Sequence, residues 1–146
     1  MSALFEHSPW VEERADARSS SGDRLADLLA VLAEASAEEQ LALICAHPEL
    51  AGKAAIDKTL TDASAAEQAS AGLDRLTPEE YARFHALNAA YRKRFGFPFI
   101  ICVRLTDKAG ILAAMERRLG NAREDEIAEA LHQIGEIVRL RLEDKA

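Results

Sequence analysis

Apolar residues recur at helical spacing through most of the chain. From Asp23 onward, Leu25, Leu28, Leu29 and Leu32 fall three or four positions apart and predict one apolar helical face. Ser36 followed by Glu39 has the spacing of a capping box, so a helix opens there and carries Leu41, Leu43, Ile44 and Cys45. Pro48 stops it, because proline lacks an N–H and pushes His47 out of the helical region. Residues 49–60 read as a short helix or an irregular connector. Ser64 and Glu67 form a second S-x-x-E box, opening a short helix through Ala71 that Gly72 can close. Thr77-Pro78-Glu79-Glu80 combines a capping hydroxyl, proline at the first helical position and acids in the first turn. Tyr81, Phe84, Leu87 and Tyr91 follow at helical spacing, the basic run Arg92-Lys93-Arg94 lies in the last turn, and Gly96 comes next. A further helix is predicted from Asp107 to Leu119. Asn121 with Glu124 then starts the last one, whose face is Ile127, Leu131, Ile134, Ile137 or Val138, and Leu140.

One segment breaks this rhythm. Phe97-Pro98-Phe99-Ile100-Ile101-Cys102-Val103 is β-branched and aromatic, and would ordinarily be assigned to a strand. No second strand is evident to pair with it, and a lone strand cannot satisfy its ladder. The chain is therefore expected to be all-α, a single compact multi-helix domain over residues 1–146 with one extended buried segment at about 97–104. Free backbone groups walled by apolar side chains would suit a polar heterocycle.

Composition narrows the partners. The 146 residues are enough for one domain with a real core, and 49% are hydrophobic while only 5% are aromatic, which favours helices. A net charge of −7 makes nucleic acid and anionic membranes poor partners, although a local basic pocket for a small anion stays open. No apolar run approaches the roughly 18–20 residues of a membrane span. The N-terminal segment lacks the charged and apolar regions of a secretory signal. Cys45 and Cys102 form no CxxC pair and read as separate buried thiols, which fits a reducing cytosol.

Few motifs survive inspection. Gly52-Lys53 lacks the earlier glycine and the following hydroxyl of a phosphate loop. Glu129 and His132 make half of a di-iron carboxylate motif, and nothing supplies the other half. Cys45 and His47 could give two metal ligands, but no others complete a site, so no metal is expected. What remains is a set of polar residues among apolar ones, most with a structural alternative. His47 could cap a helix C-terminus, where a protonated imidazole gains from the macrodipole. Ser64 and Glu67 could be a capping box only, and Arg141 could snorkel past Leu140 and Leu142. Gln68 has no such explanation from its spacing, and Asn88 lies one turn from Phe84 on a largely apolar helix.

Four stretches together resemble the OHCU decarboxylases, OHCU being 2-oxo-4-hydroxy-4-carboxy-5-ureidoimidazoline. They are His47–Lys53 (HPELAGK), Ser64–Leu73 (SAAEQASAGL), Asn88–Arg104 (NAAYRKRFGFPFIICVR), and the terminal pair Phe5–Trp10 (FEHSPW) with Leu140–Leu142 (LRL). The similarity runs over nearly the whole chain in the same order. It implies an all-helical, cofactor-free enzyme, commonly a homodimer, that carries out the last step from urate to (S)-allantoin. By motif match it implies a catalytic His47 with Pro48 as its substrate-contacting neighbour. It also implies a substrate-binding run of Ser64, Ala65, Ala66, Glu67 and Gln68, with Glu67 catalytically important. A second binding run, Phe99, Ile100, Ile101, Cys102 and Val103, would act largely through its backbone. The family's C-terminal arginine corresponds to Arg141, with Arg139 close by. The chain ends without a peroxisomal S-K-L signal, so a cytoplasmic enzyme is expected.

The implied chemistry suits these residue types. Decarboxylation spreads an electron pair into a ring, which donors aimed at ring hetero-atoms stabilise. An imidazole, with an ordinary pKa near 6.5, can then protonate one face of the product at neutral pH. His47 is thus expected as the acid and Glu67 as its assistant. A non-catalytic helical binding or dimerisation module, and an isomerase acting on a related ureide such as allantoin, are the alternatives.

Overall fold

The computed structural model describes residues 4–5, 8–47, 49–50 and 62–144. Among these the chain forms seven α-helices and one 3₁₀ turn, with no strand. The helices are α1 (Trp10–Asp16), α2 (Arg24–Glu34), α3 (Ala37–Cys45), α4 (Asp62–Ser70), α5 (Pro78–Phe95), α6 (Lys108–Arg118) and α7 (Arg123–Asp144), and the 3₁₀ turn Val103–Leu105 lies between α5 and α6. The all-α class expected from the sequence is what forms. Pro48 and most of the 49–60 connector lie outside the described residues.

Several helices start and stop where local chemistry dictates. The Asp23 carboxylate accepts from the Ala26 N–H at 3.2 Å and opens α2. Both halves of the Ser36–Glu39 capping box form at the start of α3, at 3.1 and 3.0 Å. The Thr77–Glu80 box does the same for α5, with Pro78 in its first turn. Such a cap contributes about 1 kcal/mol. α5 ends at Gly96, whose φ of +83° is a left-handed conformation that glycine adopts without steric cost.

Two predicted starts are corrected. α4 is already helical at Asp62, so Ser64 lies inside it and is buried rather than capping it. An S-x-x-E spacing also places both residues on one helical face, and here that second meaning holds. The end of α4 is as expected: Gly72, at φ +81°, follows a Schellman pattern in which the Leu73 and Gly72 N–H groups return to Gln68 and Ala69 C=O at 2.9 and 3.0 Å. Asn121 does not cap α7. Its side-chain N–H donates to Glu126 Oε2 at 2.8 Å, and the helix begins at Arg123.

α7 is the spine. α2 and α3 pack on it, α1 packs on α2, α6 on α5, and α4 on the 3₁₀ turn. Its buried stripe runs Glu126, Ala130, Ile134, Val138, Arg141. This is the predicted face turned by one position, so that Ile127, Leu131 and Leu140 are only partly buried. The rotation brings a charged residue to each end of the stripe, and both find partners on other helices. On α5 the buried face is Phe84, Asn88, Tyr91 and Phe95, while Tyr81 is exposed beside His85.

The Phe97 segment is extended only through Cys102, because Val103 already belongs to the 3₁₀ turn. Phe97, Phe99, Ile100 and Cys102 are buried. A buried strand without neighbours must find other hydrogen-bond partners, and side chains supply them. Arg118 Nη1 donates to Ile100 C=O at 2.8 Å, and the Cys102 N–H donates to Gln133 Oε1 at 2.9 Å. The Leu105 N–H closes on Cys102 C=O at 3.1 Å. Tyr91 meets the rings of Phe97 and Phe99 edge-on, at 5.9 and 5.2 Å between centroids. Among the described residues, no helix is long and apolar enough to cross a membrane.

Candidate active site

A cavity opens where the C-terminal end of α3, one face of α4, the Phe99–Arg104 stretch and the C-terminal half of α7 meet. It holds about 440 Å³ of space, part of it open to solvent. Leu50, Ile100 and Ile137 give it apolar walls, and His47, Glu67, Gln68 and Arg141 give it polar ones.

His47 follows the last residue of α3 and its C-cap Ala46, and its N–H returns to Ile44 C=O at 3.2 Å. Its side chain is buried and lines the cavity. The helix end therefore mounts the imidazole toward the cavity rather than toward bulk solvent.

On α4, Ser64, Glu67 and Gln68 stand three and four positions apart and share the face that lines the cavity. Ala65 and Ala66 do not line it. The same helical period turns them outward, where both are exposed, so the structure does not place them at the site.

Of Arg139 and Arg141, it is Arg141 that lines the cavity. Its Nε and Nη2 donate to the two Glu67 carboxylate oxygens at 2.9 and 2.7 Å, a bidentate fork. Nη2 also lies 3.4 Å from Ser64 Oγ, and Nη1 donates to Leu4 C=O at 3.3 Å. The side chains of Arg141 and Glu67 are only 6% and 13% exposed. Arg139 points elsewhere on α7, to Glu136 and Glu143 at 2.9 Å each. The fork neutralises the Glu67 charge inside the cavity, yet each carboxylate oxygen keeps a lone pair for a ligand donor.

Phe99, Ile100, Ile101, Cys102 and Val103 all line the cavity. Ile101, between the anchored Ile100 C=O and Cys102 N–H, engages neither its own N–H nor its C=O among the described residues. Burial pushes the Cys102 thiol above its ordinary pKa, so it stays protonated at neutral pH and is a poor nucleophile. Cys45, expected to be buried, is exposed at the end of α3. Iodoacetamide should therefore modify Cys45 in the native protein and reach Cys102 only after unfolding, as peptide mass spectrometry would read. Equal labelling of both thiols in the native state would show that the Phe99–Val103 wall opens.

The sequence pattern did not single out Leu50, Arg104 or Ile137 as cavity residues. Arg104 stands at the rim and forks to Asp144 at 2.7 and 3.1 Å. Asn88, noted as a polar residue on an apolar face, donates to Leu50 C=O at 2.8 Å and anchors the backbone shortly after His47. Trp10 is not among the lining residues: it packs against the core with Arg14 over its ring at 4.7 Å. Among the described residues, no group of three or more His, Cys, Asp or Glu side chains could hold a metal ion.

Comparison with known proteins places this geometry in context. The family model described as OHCU decarboxylase matches residues 1–143. The chain belongs to the OHCU decarboxylase family. A relative from Haloferax volcanii, a 2-oxo-4-hydroxy-4-carboxy-5-ureidoimidazoline decarboxylase, is 43% identical over 145 residues, spanning 97% of this chain and 84% of its own. A crystal structure of (S)-allantoin synthase is similar with a TM-score of 0.71 and 32% identity, covering 98% of this chain, which spans 47% of that longer one. A crystal structure of an OHCU decarboxylase in the presence of (S)-allantoin has a TM-score of 0.76 over 94% of this chain and 91% of that one; at 20% identity it speaks to the fold alone.

Proposed function

We propose that this chain decarboxylates OHCU to (S)-allantoin, and that the cavity at His47, Glu67 and Arg141 is its active site. The observation that carries the assignment of the site is the meeting of distant motifs. His47, the Ser64–Gln68 face, the Phe99–Val103 backbone and Arg141 all line one cavity, and Arg141 grips Glu67 across 74 residues of sequence. Family membership carries the reaction.

The chemistry follows from the substrate and these groups. The bond from the ring carbon to the carboxylate breaks, CO₂ leaves, and the electron pair moves into the ring C=N system. The ring nitrogen that receives the pair takes up a proton, the hydroxyl then becomes a carbonyl and gives up its proton, and the ureido-bearing carbon is protonated on one face. One proton is taken up overall. The walls of Leu50, Ile100 and Ile137 would strip water from the carboxylate, whose charge disperses as CO₂ departs. Glu67, oriented by the Arg141 fork, accepts a hydrogen bond from the substrate hydroxyl. The Ile101 N–H and C=O pair with the ring's amide-like edge, and Gln68 fixes its orientation. His47 delivers the proton to carbon. Because Glu67 is already compensated by Arg141, the cavity does not repel an anionic substrate. A homodimer and a cytoplasmic location accompany this reading on family likeness alone. The test is turnover of OHCU formed in situ, followed by the circular dichroism of the allantoin produced.

A further inference from the structure

We infer that Arg118 and Glu126 are positioning residues for the main-chain wall of the cavity, an inference that rests on the function proposed above. Neither lines the cavity. Arg118, in the last turn of α6, is 3% exposed, and Glu126, in the first turn of α7, is fully buried. Arg118 Nε donates to Glu126 Oε1 at 2.8 Å, and Nη1 donates to Ile100 C=O at 2.8 Å. The same guanidinium lies 4.4 Å from the centroid of the Phe99 ring. One planar group thus holds two consecutive residues of the wall, one through its ring and one through its carbonyl.

Glu126 is held in turn. Tyr91 Oη donates to Oε1, and Asn121 Nδ2 donates to Oε2 at 2.8 Å. Tyr91 also packs edge-on against Phe99. Three helices therefore converge behind a stretch that, among the described residues, has no neighbouring strand to set its register. Gln133, on the same helix as Glu126, holds the Cys102 N–H. Ile101 sits between these two anchors with its N–H and C=O available to a ligand.

Stability alone is a poor reason for this pair. A buried ion pair is often matched or bettered by apolar residues of similar volume, because its charges must be desolvated. Arg118 Nη2 is also buried with no hydrogen-bond partner among the described residues, a further cost. What the pair does that an apolar pair could not is fix the Ile100 carbonyl. Lysine cannot replace the arginine, since a single ammonium cannot reach Glu126 and Ile100 C=O together while lying over Phe99.

The test is the double variant Arg118→Met/Glu126→Gln, with Arg118→Lys beside it, in the full chain. Removing both charges avoids stranding one of them, so the double variant should melt within a few degrees of wild type. Its kcat on OHCU should nevertheless fall roughly tenfold to a hundredfold, as expected when a binding wall shifts by a fraction of an ångström to an ångström. KM should change by less than about threefold. Deuterium uptake in the peptide covering residues 99–103 should rise. Arg118→Lys keeps a charge against Glu126 and hence the fold, and should show the same low kcat and faster exchange. Wild-type kcat in either folded variant, or unchanged exchange at 99–103, overturns the inference. If the wild-type protein does not turn over OHCU, the proposed function fails instead, and the exchange result, which needs no substrate, still decides the positioning role.

Discussion

Replacing His47 with Asn should lower kcat/KM for (S)-allantoin formation from OHCU by roughly 10²–10⁴-fold, the usual worth of a general acid, while leaving the helical circular dichroism intact. Asparagine keeps a polar side chain of similar reach in the buried position, and the His47 N–H bond to Ile44 C=O belongs to the backbone and survives. The lost element is a group that can release a proton near neutral pH. If the imidazole served only to end α3, the variant would lose stability and keep its turnover. If it is the acid, the opposite pattern appears. Because decarboxylation and protonation are separate steps, the variant should also leak its intermediate to solvent. The residual allantoin it makes is then expected to carry less of the (S) signal than the wild-type product.

The largest expected effect on stability lies away from the cavity. Glu126→Ala should cost about 3–5 kcal/mol, the usual result of removing one partner from a buried ion pair. For a domain of this length that corresponds to a fall in Tm of roughly 10–20 °C. The substitution strands the Arg118 guanidinium, which is 3% exposed, and removes the acceptor of Tyr91 Oη and Asn121 Nδ2. Burial, reinforced by the hydrogen bond to Glu126, holds the Tyr91 phenol well above its ordinary pKa, so it remains a donor across the working pH range. Urea titration followed by circular dichroism measures the loss directly. A change of less than about 1 kcal/mol would show that water reaches Arg118 as readily as a surface charge.

These two predictions mark what was and was not legible in the sequence. The all-α class was legible because capping signals and apolar spacing agree. Asp23, Ser36–Glu39, Thr77–Glu80 and Asp107 each sit where a helix starts. The Phe97 segment was legible as extended but unpaired, since nothing else in the chain has strand composition. How it is satisfied was not, because its partners Arg118 and Gln133 are 18 and 31 residues away. Local chemistry does not encode such pairings.

The phase of α7 shows the same limit. Its leucines and isoleucines define a face, but the buried stripe is turned toward Glu126 and Arg141, and a charged residue gives no sign from sequence alone that it is buried with a partner. A search for charged residues spaced in phase with Ala130, Ile134 and Val138 would have raised both. At the site, physical reading alone left His47, Ser64, Glu67 and Arg141 with structural alternatives and Gln68 without a role. Likeness to a family grouped them, and the cavity then brought them together. Ala65 and Ala66 entered by association with a contiguous motif, and the helical period removes them. Ser64 illustrates an ambiguity inherent in the code, since one spacing serves both a cap and a shared helical face.

The most direct measurement is the reaction itself. OHCU would be generated from urate by the two upstream activities, the protein added, and OHCU loss followed by absorbance while the circular dichroism of allantoin is recorded. Decarboxylation accelerated over the spontaneous rate, with a single-handed (S)-allantoin signal, is the predicted result. OHCU loss at the spontaneous rate with racemic product, or activity confined to enantiopure allantoin, would contradict it and leave a binding module or an isomerase in its place.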